Sequence, residues 1–554
     1  MSRDDRKEGR RVDSRTPLLA RVANDSSAPG SLPYDGRDRE DILRYGRRLI
    51  GHTAREVCGW LGIPDPSSGK PRWKPTKNFF GDLLEHYFDL DPAKHGEAHP
   101  DFSEADLELK LLPLKRGRNQ VRVKEPTSIS MIDYMHLPQE TWGTALVRPK
   151  LFHLLLVFQV MDRVDPLASP YQSVVLYDAT DLDKALFEAD WNGTRQKVVD
   201  GLAHELHEAD ARVLAARRKG RGGTGEKWRE QPNKRLRPDA PSRAWALKSA
   251  FTRQILKQRV LAHPFEEVFP NLSRELATEG LTPIERRVRA SLLEDERKPL
   301  GEIAERLHVP LTRAKSLAAL IVKRRLHVQD LRAEILEFEK LGIVVRVLHL
   351  RSVDGWPFES VSFPAVDLEE LAGQDFEGVE DRDGTPLKER SELIDQLQRV
   401  LFVITYSPQR NDPQRERRLG RAFFWSPSRE QWDTIRTDWE RIRDEVREGK
   451  AAYDRPVGDH RRRNGLTKGE ILHMRPHGRD SNDRVRDPKG NLVTRQGYWL
   501  NKEFVYGLVQ ENHSLPTGAR PRGRVSGSET ERNVSEGRSG ADPRSRDHLP
   551  GDAR

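Results

Sequence analysis

The sequence holds a single cysteine, Cys58, in 554 residues. That excludes a disulfide framework and a cysteine-built metal site. Long hydrophobic runs are missing as well. The longest, LFHLLLVF at 151–158, is far shorter than the ~20 residues a bilayer-spanning helix needs. The N-terminus, MSRDDRKEGRR, has no apolar segment, so a secretory signal is not expected. A cytoplasmic protein with no membrane association is expected. What the chain has in abundance is charge. Apolar residues make up 35% and charged residues 33%, with a net charge of +9. A basic balance of this size favours an anionic partner, nucleic acid first.

The composition divides the chain. Residues 1–33 and 516–554 are polar and rich in Arg, Ser and Asp. They are expected to be disordered tails, because they cannot bury enough apolar surface to offset ordering. Between them lie two halves, 34–258 and 286–515, joined by a linker at 259–285. The halves carry similar segments in the same order. TKNFFGDLLEHYF (76–88) answers to AKSLAALIVKRRL (314–326), both apolar at helical spacing. ADLELKLLPL (105–114) answers to GIVVRVLHL (342–350), and KLFHLLLVF (150–158) to QRVLFVITY (398–406), all strand-like. RAWALKSAF (243–251) answers to QGYWLNKEF (496–504). Two tandem domains of one mixed α/β (α+β) fold are expected. The repeat is far too long for a solenoid.

One stretch carries chemistry: HPDFSEADLELKLLPLK, His99 to Lys115. In its strand, Leu107, Leu109 and Leu111 share one face, while Glu108 and Lys110 share the other. The leucines anchor the strand on the core, and the charged pair projects into a cleft beside Asp101. Two carboxylates and an ammonium suit phosphodiester hydrolysis. The carboxylates hold Mg²⁺, which polarises the phosphate and lowers the pKa of a bound water. The lysine orients or deprotonates that water, or stabilises developing charge. On its own, Glu-x-Lys is more often a cross-face ion pair on an amphipathic edge strand.

The order Pro100-Asp101, then Glu108-Leu109-Lys110, resembles the PD-(D/E)XK nuclease motif. The surrounding residues resemble its MutH branch, which includes the mismatch-repair nicking enzyme and the Sau-type restriction endonucleases that cut at GATC. KNFFGDLLE (77–85) matches the family helix that ends in an active-site Glu, here Glu85. RPKLFHLLLVF (148–158) matches the strand led by an active-site Lys, here Lys150. AHELHEADARVLAARRKG (203–220) and RAWALKSAF match segments near the DNA-recognition end. The resemblance implies that Asp101 and Glu108 are the metal ligands. It makes Lys110 the residue that positions the water, Glu85 a completing acid and Lys150 a support for the phosphate or the water.

The second half departs from this pattern. Val344 and Arg346 stand for Glu108 and Lys110, Lys323 for Glu85 and Gln398 for Lys150, and Asp101 aligns loosely with Glu337. A valine at the main ligand position removes the metal's anchor, so this copy is expected to be catalytically silent. Sau-type enzymes share that arrangement, with a second domain that still binds DNA. HMRPHGRDSNDR (473–484) matches the family segment that reaches base edges. There Arg475 suits a bidentate contact to guanine, with His477 and Asn482 adding contacts. RRKGRGGTGEK (217–227) is basic and glycine-rich, which suits either a mobile loop along the phosphate backbone, with Arg217, Arg218 and Lys219 as candidate contacts, or a flexible connector. The pair His473/His477 is separated by Pro476, and HELH at 204–207 lacks zinc-hydrolase spacing, so neither is taken as a metal site.

The expected function is a Mg²⁺-dependent type II restriction endonuclease acting on double-stranded DNA at a short site, GATC by resemblance. Its second domain would be an allosteric DNA site, and the protein a monomer able to dimerise on DNA or engage two sites. The alternatives are a repair-type nicking endonuclease and a non-catalytic DNA-binding regulator.

Overall fold

The structure, a computed structural model, describes residues 32–512 apart from 69–77, 91–98, 118–120, 220–227, 234–238, 312–316, 381–385, 453–464, 481 and all of 270–281 but Leu272, Glu275 and Glu279. The expected tails and the glycine-rich part of the 217–227 segment therefore fall outside the described residues.

The first half opens with α1 (Arg39–Gly46), α2 (Ala54–Trp60) and α3 (Phe79–Tyr87). Its main sheet contains β1 (Glu108–Arg116), β2 (Val121–Val123), β4 (His153–Val160) and β5 (Tyr171–Asp178) in the order β2-β1-β4-β5. β1 runs parallel to β4, and the other two pairings are antiparallel. A second sheet joins β3 (Thr127–Met131), β6 (Leu214–Arg218) and β7 (Arg243–Leu247) in the order β3-β7-β6. The long α4 (Asp181–Val199) precedes β6, and α5 (Ser249–Ile255) follows β7.

β1 is an interior strand, not an edge strand. Its leucines split between two cores. Leu107 and Leu109 are buried against α1–α3 together with Phe80, Leu84 and Phe88. Leu112 and Leu114 face the opposite core with Leu154, Leu156 and Trp191. β4 is likewise buried on both faces, as its unbroken apolar run suggests.

The second half repeats this plan after α6 (Thr282–Leu293), α7 (Leu300–Arg306) and α8 (Leu317–Arg325). β8 (Val344–Arg351) runs parallel to β10 (Val400–Ser407), which pairs antiparallel with β11 (Arg418–Trp425). β9 (Val361–Val366), β12 (Leu472–Pro476) and β13 (Gln496–Leu500) form the smaller sheet in the order β9-β13-β12. Its long helix α9 (Arg429–Arg447) has 19 residues, as α4 does, and α10 (Lys502–Asn512) closes the half.

The repeat extends to single hydrogen bonds. Both long helices begin at a capping box, Thr180 with Asp183 in α4 and Ser428 with Gln431 in α9. The tenth residue of each is a buried aspartate. Asp190 accepts from the backbone N–H groups of Arg212, Val213 and Leu214 at 2.7–3.0 Å. Asp438 accepts from those of Glu470, Ile471 and Leu472 at 2.9–3.3 Å. Each carboxylate thereby fixes the entry of one strand, β6 or β12. After the last strand, Lys248 donates to the Ala211 carbonyl at 2.8 Å, and Asn501 donates to the Gly469 and Glu470 carbonyls at 2.6 and 2.7 Å. One strand-to-helix junction is thus tied down by an ammonium in one half and an amide in the other.

The halves share a core. One apolar cluster runs from Leu112 and Trp191 to Leu300, Ile321 and Leu401. Between them, Phe265–Glu266 pairs parallel with Glu334–Ile335, and Phe269 and Leu272 enter the shared core. Ion pairs cross as well: Lys340 with Asp183 at 2.5 Å, Lys115 with Glu389 at 2.5 Å and Arg390 with Glu208 at 2.8 Å. Among the described residues, no helix is long and apolar enough to cross a membrane.

Candidate active site

The seven-residue step from Asp101 to Glu108 is the span of one tight turn. Phe102 and Leu107 form an antiparallel bridge, each donating its N–H to the other's carbonyl, at 2.9 and 3.2 Å. Asp106 completes the turn in the left-handed region at φ 49°, which aspartate tolerates better than most residues. The next pair outward is Asp101 opposite Glu108. The Leu109 N–H donates to Asp101 Oδ2 at 2.9 Å, and the Asp101 N–H donates to Glu108 Oε2 at 3.3 Å. The turn itself is clamped by a residue the sequence does not single out. Arg39 on α1 donates to the Ala105 and Asp106 carbonyls at 2.6 and 3.2 Å and lies 3.4 Å from Asp178. His153 Nδ1 closes the clamp at 2.6 Å from Asp178.

The two carboxylates meet over one ammonium. Lys110 Nζ is 2.5 Å from Glu108 Oε1, 4.0 Å from Asp101 Oδ2 and 3.0 Å from the Leu109 carbonyl. Lys150 approaches from the other side, 3.8 Å from Glu108 Oε1. It does so from a short helical turn, Pro149–Phe152, just before β4 rather than from the strand itself. Glu85, on α3, lies close enough for its charge to act on Lys110. The structure therefore brings Asp101, Glu108, Lys110 and Lys150 to one place at the start of β1.

The electrostatics follow from burial. Glu108 is 1% exposed. Burial pushes its carboxyl up, the Lys110 ammonium pulls it back, and the Asp101 charge raises it again. For Lys110, burial alone would lower the pKa. The Glu108 and Asp101 carboxylates outweigh it and hold the ammonium above the ordinary lysine range.

Among the described residues, no group of three or more His, Cys, Asp or Glu side chains is arranged as a metal cage. The site offers two carboxylates and the Leu109 carbonyl instead. That donor set fits a hard divalent cation, which keeps several waters and needs only one or two carboxylates. It does not fit a soft metal, having no imidazole or thiolate.

The second half does not rebuild this site. The strand register sets the correspondence: Glu108 pairs with Leu154, and Val344 pairs with Val400. Lys110 then answers to Arg346. The residue answering to Lys150, four before the paired strand position, is Gln396, so the alignment with Gln398 shifts by two. Glu337 is buried and turned elsewhere, accepting from the Val268 and Phe269 N–H groups at 3.0 and 2.7 Å. Lys323 donates to the Leu331 and Ala333 carbonyls at 3.1 and 2.7 Å.

The residues expected at DNA are placed unequally. Arg475 is exposed at the end of β12, its guanidinium 4.8 Å from the Trp499 ring centroid. His477 meets the same ring edge-on at 5.4 Å. Asn482 is exposed, in a turn where its N–H donates to Asp480 at 2.7 Å. Trp499, the platform under both, carries no signal in the sequence that sets it apart from a core aromatic. Arg217 is buried, donating to the Pro126 carbonyl at 3.0 Å and to Glu125 at 2.9 Å. Arg218 pairs with Glu377 of the second half at 2.9 Å. Lys219 is partly buried, its N–H on the Ser242 carbonyl at 2.8 Å.

Comparison with known proteins adds to this geometry. Residues 91–190 match the family model of the DNA mismatch repair enzyme MutH. The chain is 25% identical over 512 residues to the type II restriction enzyme Sau3AI of Staphylococcus aureus, covering 85% of this chain and 98% of that enzyme. It is 26% identical over 220 residues to the DNA mismatch repair protein MutH of Haemophilus influenzae, covering 38% of this chain and 87% of that protein. MutH of Haemophilus ducreyi is 27% identical over 219 residues.

Proposed function

Because this chain belongs to the MutH/Sau-type restriction endonuclease family, we propose that it is a Mg²⁺-dependent type II restriction endonuclease. Its substrate is duplex DNA carrying a short site, GATC by resemblance. The observation that carries this reading is the meeting of Asp101 and Glu108 across the Phe102–Leu107 bridge, with Lys110 between them. The likeness to a restriction enzyme covers 85% of this chain, and the likeness to a mismatch-repair protein covers 38%. That favours restriction over repair-type nicking.

In this mechanism Asp101, Glu108 and the Leu109 carbonyl would hold the cation. The chemistry supplied by a bound cation would be polarisation of the phosphodiester and a lowered pKa for the attacking water. Lys110 directs its ammonium at that water and at the phosphate oxygens on which charge develops. Lys150 restrains Glu108 and adds positive charge on the phosphate side. Glu85 keeps Lys110 in place by charge. Arg39 preserves the turn that sets Asp101 opposite Glu108. Arg217 and Arg218 support β6 rather than reading DNA, while Arg475 and its neighbours serve the second half.

The second half, without Glu108, Glu85 and Lys150, binds DNA and does not cut it. Occupying it with a second copy of the site favours the active state of the first half. Such coupling is typically about 1–3 kcal/mol, roughly 5- to 150-fold. Supercoiled plasmids with one or two sites test the reading. Linear product, formed faster from the two-site plasmid, is expected. Nicked circles alone would favour the repair-type alternative, and intact plasmid in Mg²⁺ would remove catalysis altogether.

A further inference from the structure

Arg346 stands where Lys110 stands, but among the described residues no carboxylate pairs with it. Lys110 pairs with Leu156 and Arg346 with Phe402, each two residues into its strand. Lys110 touches two carboxylates. Among the described residues no carboxylate forms an ion pair with Arg346. Its Nη1 donates to the neighbouring Val345 carbonyl at 3.1 Å, and its Nε is buried with no hydrogen-bond partner. The guanidinium lies 5.1 Å from the Phe363 ring centroid. Burial alone lowers its pKa, to about 10. The start of β8 is nevertheless partly open, with Val344, Val345, Arg346 and Val347 all retaining some exposure.

This arrangement is poor for stability. A guanidinium carries five N–H donors in a rigid fork and stays charged at neutral pH. Partly buried without an anion, it is less favourable than an apolar side chain of similar volume lying on Phe363. Its surroundings also suit an anion. Val344 replaces the Glu108 carboxylate that would repel one, and Glu337 spends its charge on the Val268 and Phe269 N–H groups. Where the first half collects carboxylates for a cation, the second presents an uncompensated cation.

We propose that the metal site of the first half has become an anion site in the second, with Arg346 binding a phosphodiester oxygen of duplex DNA directly. The proposal rests on the reading that the second half binds DNA. It separates two tasks: Arg346 takes the backbone, and Arg475 on its Trp499 platform takes the base edge.

The test is duplex binding by the full chain carrying Glu108→Ala, so that the DNA stays intact, as a function of salt. Arg346→Met in that background should weaken binding about equally with or without the recognition site. It should also reduce the log–log salt slope by about 0.9, the value of one phosphate contact. Arg346→Lys, which keeps the charge, should retain the slope. The urea midpoint of Arg346→Met should be unchanged or higher, since an uncompensated charge has been removed. A full slope in Arg346→Met overturns the anion site. A lower midpoint in Arg346→Met that Arg346→Lys restores, with neither altering the slope, overturns it too, leaving Arg346 only structural. Arg475-dependent discrimination that persists while Arg346 has no effect sinks this inference alone. No salt-dependent binding even before Arg346 is changed sinks the DNA-binding reading with it.

Discussion

Lys340 of the second half places its ammonium 2.5 Å from the carboxylate of Asp183 in the first, and both side chains are buried. Asp183 also caps α4 through Thr180 and accepts from the Tyr177 hydroxyl at 2.5 Å. Removing one partner leaves an uncompensated interior charge. Lys340→Met or Asp183→Asn should therefore destabilise by about 3–5 kcal/mol. Denaturant titration followed by signals from both halves should show one shifted transition. Two separate transitions in the unmodified chain would mean that the shared core does not couple the halves.

Acid should destabilise the second half through two histidines. Burial, with Arg475 adding to it, lowers His473 to about 4. Burial and then Arg417 lower His349 to about 4 as well. In the unfolded chain both protonate near ~6.5. Between about 6.5 and about 4 the unfolded state takes up protons that the folded state refuses, so stability falls as pH falls through that window. Unfolding midpoints measured from pH 7 to pH 4 should drop, and His473→Gln should flatten part of the decline. A pH-independent midpoint over that range would contradict the burial of these rings.

The alternation of leucines and charges in LELKL made the Glu108–Lys110 face legible, because a strand has a period of two. The partnership with Asp101 depends on a turn whose left-handed residue, Asp106, carries no glycine signal. Lys150 was legible only through resemblance, since a helical turn before a strand looks like a charge before a strand. Matching apolar runs points to Gln398 as its counterpart, whereas backbone pairing of Leu154 and Val400 sets it at Gln396. Asp190 and Asp438 left no trace, because a mid-helix aspartate reads as solvated until three backbone N–H groups converge on it. Arg217 misleads in the opposite direction. Its neighbours suggest a mobile basic loop, yet it is buried in β6.

Arg475 should control sequence discrimination. Its guanidinium is held over Trp499, so less ordering is required when it meets a guanine edge. Arg475→Ala should reduce discrimination between cognate and single-substituted sites by about 1–3 kcal/mol. Trp499→Ala should act in the same direction by freeing the arginine. Competition binding against substituted duplexes measures both, and unchanged discrimination in Arg475→Ala would move base reading elsewhere.

Cleavage of a site-bearing supercoiled plasmid in Mg²⁺, by the wild-type chain and by Asp101→Ala and Glu108→Ala, tests the catalytic assignment most directly. The wild type should give linear DNA with fixed ends. Each variant should cut more than roughly 10²-fold more slowly while still binding the duplex, since each loses a main electrostatic contributor to the transition state. Cleavage by either variant at a near-normal rate would contradict the site at the start of β1.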